Sequence, residues 1–417
     1  ICMIMNEFII FFLIAVAVFF IIETIVRRIV LQVNQDFQWL IVEKDKIPIL
    51  DKHGLSKFIS HGFDPELGWV RKPNTSHDET GKFGKTNWTI NQFCARTNPN
   101  FDNLESNTSC YGDSFTFSRQ VNDDETWVHY LSEFTNSNVI NFGVGNYGVD
   151  QALLRLKREF PKYPTKIVIM GVVPETICRI VSVWKHYYEY GNTFGFKPRF
   201  ILKNNSLNLI ENIIDGKDKF EKYQNYLEDI NRYDFFYKNK FLKEKISFPY
   251  CITILKNLRR NFGIINWVQK INQRKKNNFD CTDIEWNTMK IIMKINLDWR
   301  VKLFQDNETC ELLKQILVEY ANYGKKQNFK PVFIFLPQKD DILFIKKNFN
   351  FYHNFVNELK KIENLFCIDI TKDMINIKEI DRMFSDNNEY GGHYSKDGNQ
   401  KVAELIFNEL KILNGSE

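Results

Sequence analysis

The sequence predicts an α/β fold: a mostly parallel sheet covered by helices on both faces, with a large insertion and an apolar helix at the N-terminal end. Three observations predict it. Short apolar runs alternate with amphipathic helical stretches over residues 105–175 and again over 328–414, which is the pattern of strands buried on both faces. Between residues 174 and 330 that alternation is lost. Residues 8–26 (FIIFFLIAVAVFFIIETIV) are apolar almost throughout.

Taken in order, the first element is residues 1–28, read as a transmembrane signal anchor. A helix rising about 1.5 Å per residue over so long an apolar run approaches the roughly 30 Å hydrocarbon core of a bilayer. The run exceeds the h-region of a cleaved signal peptide, and no basic n-region precedes it. Arg27 and Arg28 follow it and, by the positive-inside rule, pull that end toward the cytoplasm. Residues 29–104 read as a stalk and lead-in lobe, with turn-rich punctuation over 62–73 and a strand-like alternation over 85–91.

The main domain spans 105–417. Its expected strands are 107–111, 138–144, 166–172, 331–336 and 365–370, and its expected helices 125–134, 148–160, 308–326, 351–362 and 399–413. The insertion at about 174–330 contains a hairpin-like segment (200–210), basic helical stretches and runs rich in Tyr and Phe. Insertions of this size over a sheet edge build lids or substrate walls. Its aromatics are expected to serve packing before sugar binding.

Composition excludes several function classes. The net charge is only +5 from 56 basic and 51 acidic residues, and the basic pairs are scattered rather than gathered into a stripe, so no nucleic-acid partner is expected. The eight cysteines are widely spaced without a C-x-x-C, which indicates neither a disulfide framework nor a zinc site. No metal or other cofactor is expected.

Two stretches carry chemistry. In residues 108–116 (TSCYGDSFT) a strand runs into a Gly-Asp-Ser turn ahead of a helix. A serine there is exposed at the carboxyl edge of the sheet, and the first amides of the helix point at a developing oxyanion, so Ser114 is the candidate nucleophile. In residues 386–399 (DNNEYGGHYSKDGN) His393 stands in a glycine-flanked loop after the last strand, where it can return to the same sheet edge. A neutral imidazole is the base that a serine needs to attack a carbonyl near neutral pH.

On these residues the chain resembles the SGNH, or GDSL-like, hydrolases. The resemblance rests on Gly112-Asp113-Ser114-Phe115-Thr116, on Asn141-Phe142-Gly143-Val144-Gly145-Asn146, and on Gly392-His393-Tyr394-Ser395 before the final helix. It implies a three-layer α/β/α sandwich on a flavodoxin-like sheet. It further implies a serine nucleophile, a histidine base, a carboxylate behind the imidazole, and an oxyanion hole made of the serine amide, a glycine amide and an asparagine side chain. Three positions depart from that pattern. The glycine of the second block aligns with Asn146, one residue beyond Gly145; Asn tolerates left-handed backbone and its amide still donates. The third block (170–175, MGVVPE) lacks the asparagine, leaving Arg179 as a replacement donor or as an ordinary i, i+4 partner of Glu175. The position of the acid holds Tyr390, so Asp386 or Glu389 is expected to reach the imidazole, Asp386 being favoured. With the anchor, the resemblance implies a membrane-bound serine esterase or O-acyltransferase, with its catalytic domain outside the cytoplasm, acting on acyl, chiefly acetyl, esters of cell-surface or exported glycan. The alternative is an inactive SGNH-fold component that binds or scaffolds in polysaccharide assembly.

Overall fold

The computed structural model describes residues 2–204, 206–386, 390 and 392–415. Five strands form the central sheet: β1 (Ser106–Gly112), β2 (Asn138–Asn141), β3 (Ile167–Val172), β4 (Lys330–Phe335) and β5 (Phe366–Asp369). All neighbouring pairs are parallel, in the order β2-β1-β3-β4-β5. This is the flavodoxin-like doubly wound order, whose topological switch lies between β1 and β3. Ligands of such sheets bind beyond the carboxyl ends of the strands there, and β1 is the strand that leads to Ser114.

The strands are buried on both faces, so successive residues serve opposite cores. On one face Val168, Met170, Phe333 and Phe335 pack with Leu153 and Leu156 of α3 (Val149–Glu159) and with Leu313 and Leu317 of α4 (Asn307–Gln327). On the other, Ile169, Val332, Ile334 and Ile368 pack with Trp127 and Leu131 of α2 (Trp127–Thr135) and with Val402 and Ile406 of α6 (Lys396–Gly415). A short helix, α5 (His353–Leu359), precedes β5. The expected elements are present, and two further helices, Lys339–Lys347 after β4 and Thr371–Asn376 after β5, are present among the described residues.

The N-terminal helix α1 runs from Cys2 to Asp36, past the expected anchor boundary at 28, because 27–36 holds neither Gly nor Pro. Within it Glu7–Asp36 is long and apolar enough to cross a membrane. Its last turns are instead part of the protein: Val30 and Val33 pack with Leu40, Val42, Ile246 and Ile264. Glu23, an acid inside the apolar run, is buried, and its carboxylate accepts hydrogen bonds from the amides of Tyr250 (2.5 Å) and Cys251 (2.9 Å) in the insertion.

A hairpin in the lead-in lobe pairs Thr75–Gly81 with Gly84–Ile90. The hairpin-like segment of the insertion pairs Arg199–Lys203 with Ser206–Ile210. Trp184, Tyr187, Tyr188, Phe196, Phe236 and Phe241 are buried in one cluster with the sheet-face core, so these aromatics of the insertion pack against the sheet domain and are not displayed as a sugar-binding surface.

Candidate active site

The nucleophile turn is built from close backbone approaches. Gly112 ends β1 directly opposite Gly171 of β3, and a methyl group at Gly112 would stand 1.8 Å from the Gly171 carbonyl oxygen. Only glycine fits there. Thr116 Oγ1 donates to that same carbonyl at 2.7 Å, which fastens the short helix Ser114–Phe117 to the sheet edge. Asp113 caps this helix: its Oδ1 accepts from the Phe115 amide at 2.8 Å, while Oδ2 accepts from the Val173 amide at 2.9 Å and Arg179 Nη1 at 3.0 Å. Burial pushes the Asp113 carboxyl above its usual range, and the Arg179 charge opposes that shift.

Ser114 opens the helix and is nearly buried. Its Oγ lies 2.8 Å from His393 Nε2. The loop bearing His393 is held by an antiparallel bridge between Phe384 and Tyr394 and by the Ser385 amide, which donates to the His393 carbonyl at 2.8 Å. The imidazole ring packs on Phe115, with centroids 4.9 Å apart. Its Nδ1 meets Gln120 Oε1 at 3.1 Å, and the same oxygen accepts the His393 backbone amide at 3.1 Å. A carboxamide oxygen only accepts, so Nδ1 carries the hydrogen and Nε2 is the lone-pair end that faces the serine hydroxyl. Desolvation of the ring, aided by the positive charges of Arg119 and Arg179, holds its pKa well below the ordinary histidine value. The base is therefore neutral at neutral pH.

Gln120 owes its place to the turn after the nucleophile helix. Ser118 and Gln120 both adopt left-handed backbone, with φ of 58° and 64°, which swings the Gln120 side chain under the imidazole. Glu79 of the lead-in hairpin fixes that turn by accepting the Gln120 amide at 3.0 Å and Arg119 Nε at 2.8 Å.

The loop after β2 closes on the nucleophile from the other side. Asn141 Nδ2 donates to the Thr116 carbonyl at 2.8 Å, and its Oδ1 accepts the Gly143 amide at 3.0 Å. A methyl group at Gly143 would lie 2.4 Å from the Phe117 nitrogen, so the loop and the helix touch through this glycine. Gly145 flanks the nucleophile, since a methyl there would meet Ser114 Cβ at 4.0 Å and Arg71 Nη2 at 3.8 Å. Asn146 is left-handed, with φ of 66°. An open cavity of about 400 Å3 begins here, with Gly145, Asn146, Trp69, Arg71, Arg119 and Lys185 on its walls.

The sheet that carries this site is a doubly wound, all-parallel sheet of flavodoxin-like strand order. No family model matches the chain, and no curated protein does. Among solved structures it is similar to a protein assigned to the G-D-S-L family of lipolytic proteins from Desulfitobacterium hafniense, at 10% identity and a TM-score of 0.33 over 73% of this chain and 99% of that one. It is also similar to a lipase/acylhydrolase from Enterococcus faecalis, at 12% identity and a TM-score of 0.34 over 74% of this chain and 96% of that one.

The structure brings Ser114, His393, Gly145 and Asn146 to one sheet edge. Two expected positions differ. The group at His393 Nδ1 is Gln120, where the sequence suggests Asp386 or Glu389; Asp386 stands instead against Gly392, whose added methyl would lie 2.5 Å from Asp386 Cβ, and Glu389 lies outside the described residues. Arg179, expected as a replacement oxyanion donor, has both guanidinium ends engaged: Nη1 with Asp113 and the Tyr147 carbonyl, each at 3.0 Å, and Nη2 with Glu175 at 2.9 Å. It braces the turn from behind. Gln120 belongs to no motif, and the only sequence signal for it is its nearness to Ser114 in the chain.

Proposed function

We propose that the protein is a membrane-anchored serine esterase or O-acyltransferase acting on acyl, chiefly acetyl, esters of a cell-surface or exported glycan. The observation that carries the reading is the 2.8 Å contact between Ser114 Oγ and His393 Nε2, with the imidazole hydrogen fixed on Nδ1. As Oγ bonds to the ester carbonyl carbon, Nε2 takes the hydroxyl proton. Amides at the start of the Ser114 helix and at Gly145 and Asn146 hold the oxyanion. Collapse breaks the ester bond, and the leaving alcohol takes the proton back from Nε2. Water, or a sugar hydroxyl, then attacks the acyl-serine with His393 as base again, giving esterase or transferase. Residues 1–28 serve as the anchor, 29–104 as the lead-in lobe, and the insertion at 174–330 as a substrate wall; Lys185 on the cavity supports the last assignment.

The test is hydrolysis of an aryl acetate by the full chain in detergent, compared with Ser114→Ala. Equal rates would remove Ser114 as nucleophile. Acetate appearing in water or on an added oligosaccharide separates the two activities. One observation favours a second reading, an inactive binding component: the neutral Gln120 where a carboxylate is expected. Covalent labelling of Ser114 by a serine-directed phosphonate would exclude it.

A further inference from the structure

Arg71 is partly buried and lacks the carboxylate partner that several arginines of the domain have. Arg96 pairs with Asp123, Arg158 with Asp64, Arg179 with Asp113 and Glu175, and Arg300 with Asp340 and Asp341. Arg71 has no hydrogen bond or ion pair among the described residues, and its Nε is buried without a partner. The guanidinium is held by aromatic faces alone, with Cζ 4.5 Å from the Trp88 ring centre and 5.0 Å from that of Phe117. Such stacking orients a cation while leaving its in-plane donors open. Nη2 reaches Gly145, the residue that also flanks Ser114. Burial and the neighbouring Arg119, Arg96 and Arg155 charges press its pKa down to about 10, with Glu79 opposing them.

The cavity that Arg71 enters is lined also by Arg119 and Lys185, and among the described residues no Asp or Glu lines it. Those two cations already have carboxylates: Arg119 ion-pairs with Glu79 at 2.8 Å and Lys185 with Glu189 at 3.0 Å. Lys185 Nζ, although beside Glu189, is buried without a hydrogen bond, and among these three cations Arg71 has neither a hydrogen bond nor a carboxylate among the described residues. A desolvated guanidinium without a counter-charge is costly, and its fork of donors matches the two oxygens of an oxyacid.

We propose that this cavity receives an anionic oxyacid group, a carboxylate or phosphate carried by the acyl-bearing substrate, and that Arg71 is the residue that binds it. The inference rests on the reading of Ser114 as the acyl-transfer nucleophile, and it assigns the substrate class: an acidic glycan ester in preference to a neutral one. The anion docks beside Gly145 while the ester carbonyl lies over Ser114.

Binding is measured separately from turnover, by calorimetry on full-length Ser114→Ala in detergent. The probes are an O-acetylated oligouronate, the same oligosaccharide after carboxyl reduction, and a sugar phosphate with its unphosphorylated sugar. The expected result is that one acid binds at least about 10-fold more tightly than its neutral counterpart, with the advantage shrinking as salt rises. Whichever acid shows it identifies the anion. Equal binding of both acids and their neutral counterparts overturns the proposal. Adding Arg71→Gln should erase the preference, and Arg71→Lys, which keeps the charge and much of the stacking if the glutamine variant fails to fold, should reduce it. Full preference in a folded variant overturns the assignment to Arg71. Acetate release by the wild type and not by Ser114→Ala tests the underlying reading, so acid selectivity without release strikes that reading alone.

Discussion

On the proposed mechanism, Gln120→Glu should raise the rate of ester hydrolysis and shift its pH profile upward. In the wild type the imidazolium formed during attack is faced at Nδ1 by a neutral carbonyl 3.1 Å away, while desolvation and two arginines hold the His393 pKa well below its ordinary value. A carboxylate is isosteric there and adds a full negative charge. Its attraction for the imidazolium is about 4–5 kcal/mol at an effective dielectric constant near 20, less the cost of desolvating the new carboxylate. Paired groups at this range generally show net shifts of about 1–3 pKa units, or roughly 1.4–4 kcal/mol. Because the neutral imidazole is the active form, kcat/KM rises with pH through the His393 pKa. The acid limb of the wild type therefore lies below pH 6.5 and should move up by the same 1–3 units in the variant. Expressed in the transition state, even the lower end of that range is on the order of 10-fold in kcat. The assay is the pH dependence of aryl acetate hydrolysis by the full chain, with the His393 ring followed by NMR. An acid limb that stays in place, or a kcat that falls, would refute the electrostatic account of Gln120.

Three further outcomes follow from the same geometry. Arg179→Met leaves the buried Asp113 carboxylate without its cation and should cost about 3–5 kcal/mol of stability, read from urea denaturation. Gly143→Ala places a methyl 2.4 Å from the Phe117 nitrogen; it should displace the nucleophile helix and lower kcat by at least about 10-fold in a variant that retains wild-type far-UV circular dichroism. His186, whose Nε2 lies 3.0 Å from the Asp45 carbonyl, is pushed down to about 4 by burial. The unfolded chain binds its proton below about pH 6.5 and the folded chain only near 4, so stability is lost as pH falls through that window, by up to about 3 kcal/mol. His186→Phe should flatten the pH dependence of the denaturation midpoint between pH 7 and 4.5, and an unchanged slope would argue against it.

The sheet was legible because its strands are short apolar runs set between helices of clear period, and β3 and β4 begin within one residue of their expected starts. Ser114 and His393 were legible because strand-turn-helix geometry at Gly112-Asp113-Ser114 and a glycine-flanked loop at His393 are local features. Gln120 was not. Its role depends on left-handed backbone at Ser118 and Gln120 and on Glu79, which stands about forty residues earlier in the chain; no local pattern encodes such a meeting. The pairing of Arg179 with Glu175 follows from i, i+4 spacing, but the link from Arg179 to Asp113 crosses from one strand end to another. The loss of alternation between 174 and 330 was legible, but the packing of Trp184, Tyr188 and Phe236 into the sheet-face core was hidden because these residues follow no single period.

The Glu23 contact with Tyr250 and Cys251 bears on where this chemistry takes place. The Glu23 carboxylate, inside an apolar segment, is held by amides more than two hundred residues later in the chain, so the N-terminal helix and the domain are joined at that point. The helix then continues from 26 to Asp36 without a hinge, a rise of about 15 Å, and ends packed into the protein. In a chain anchored as proposed, Ser114 works at a set height and tilt above the lipid surface. A hydrophobic helix of unrelated sequence in its place would hold the enzyme at the membrane but leave it free to swing, so ester groups presented at a defined distance from the bilayer should be the ones that distinguish the two.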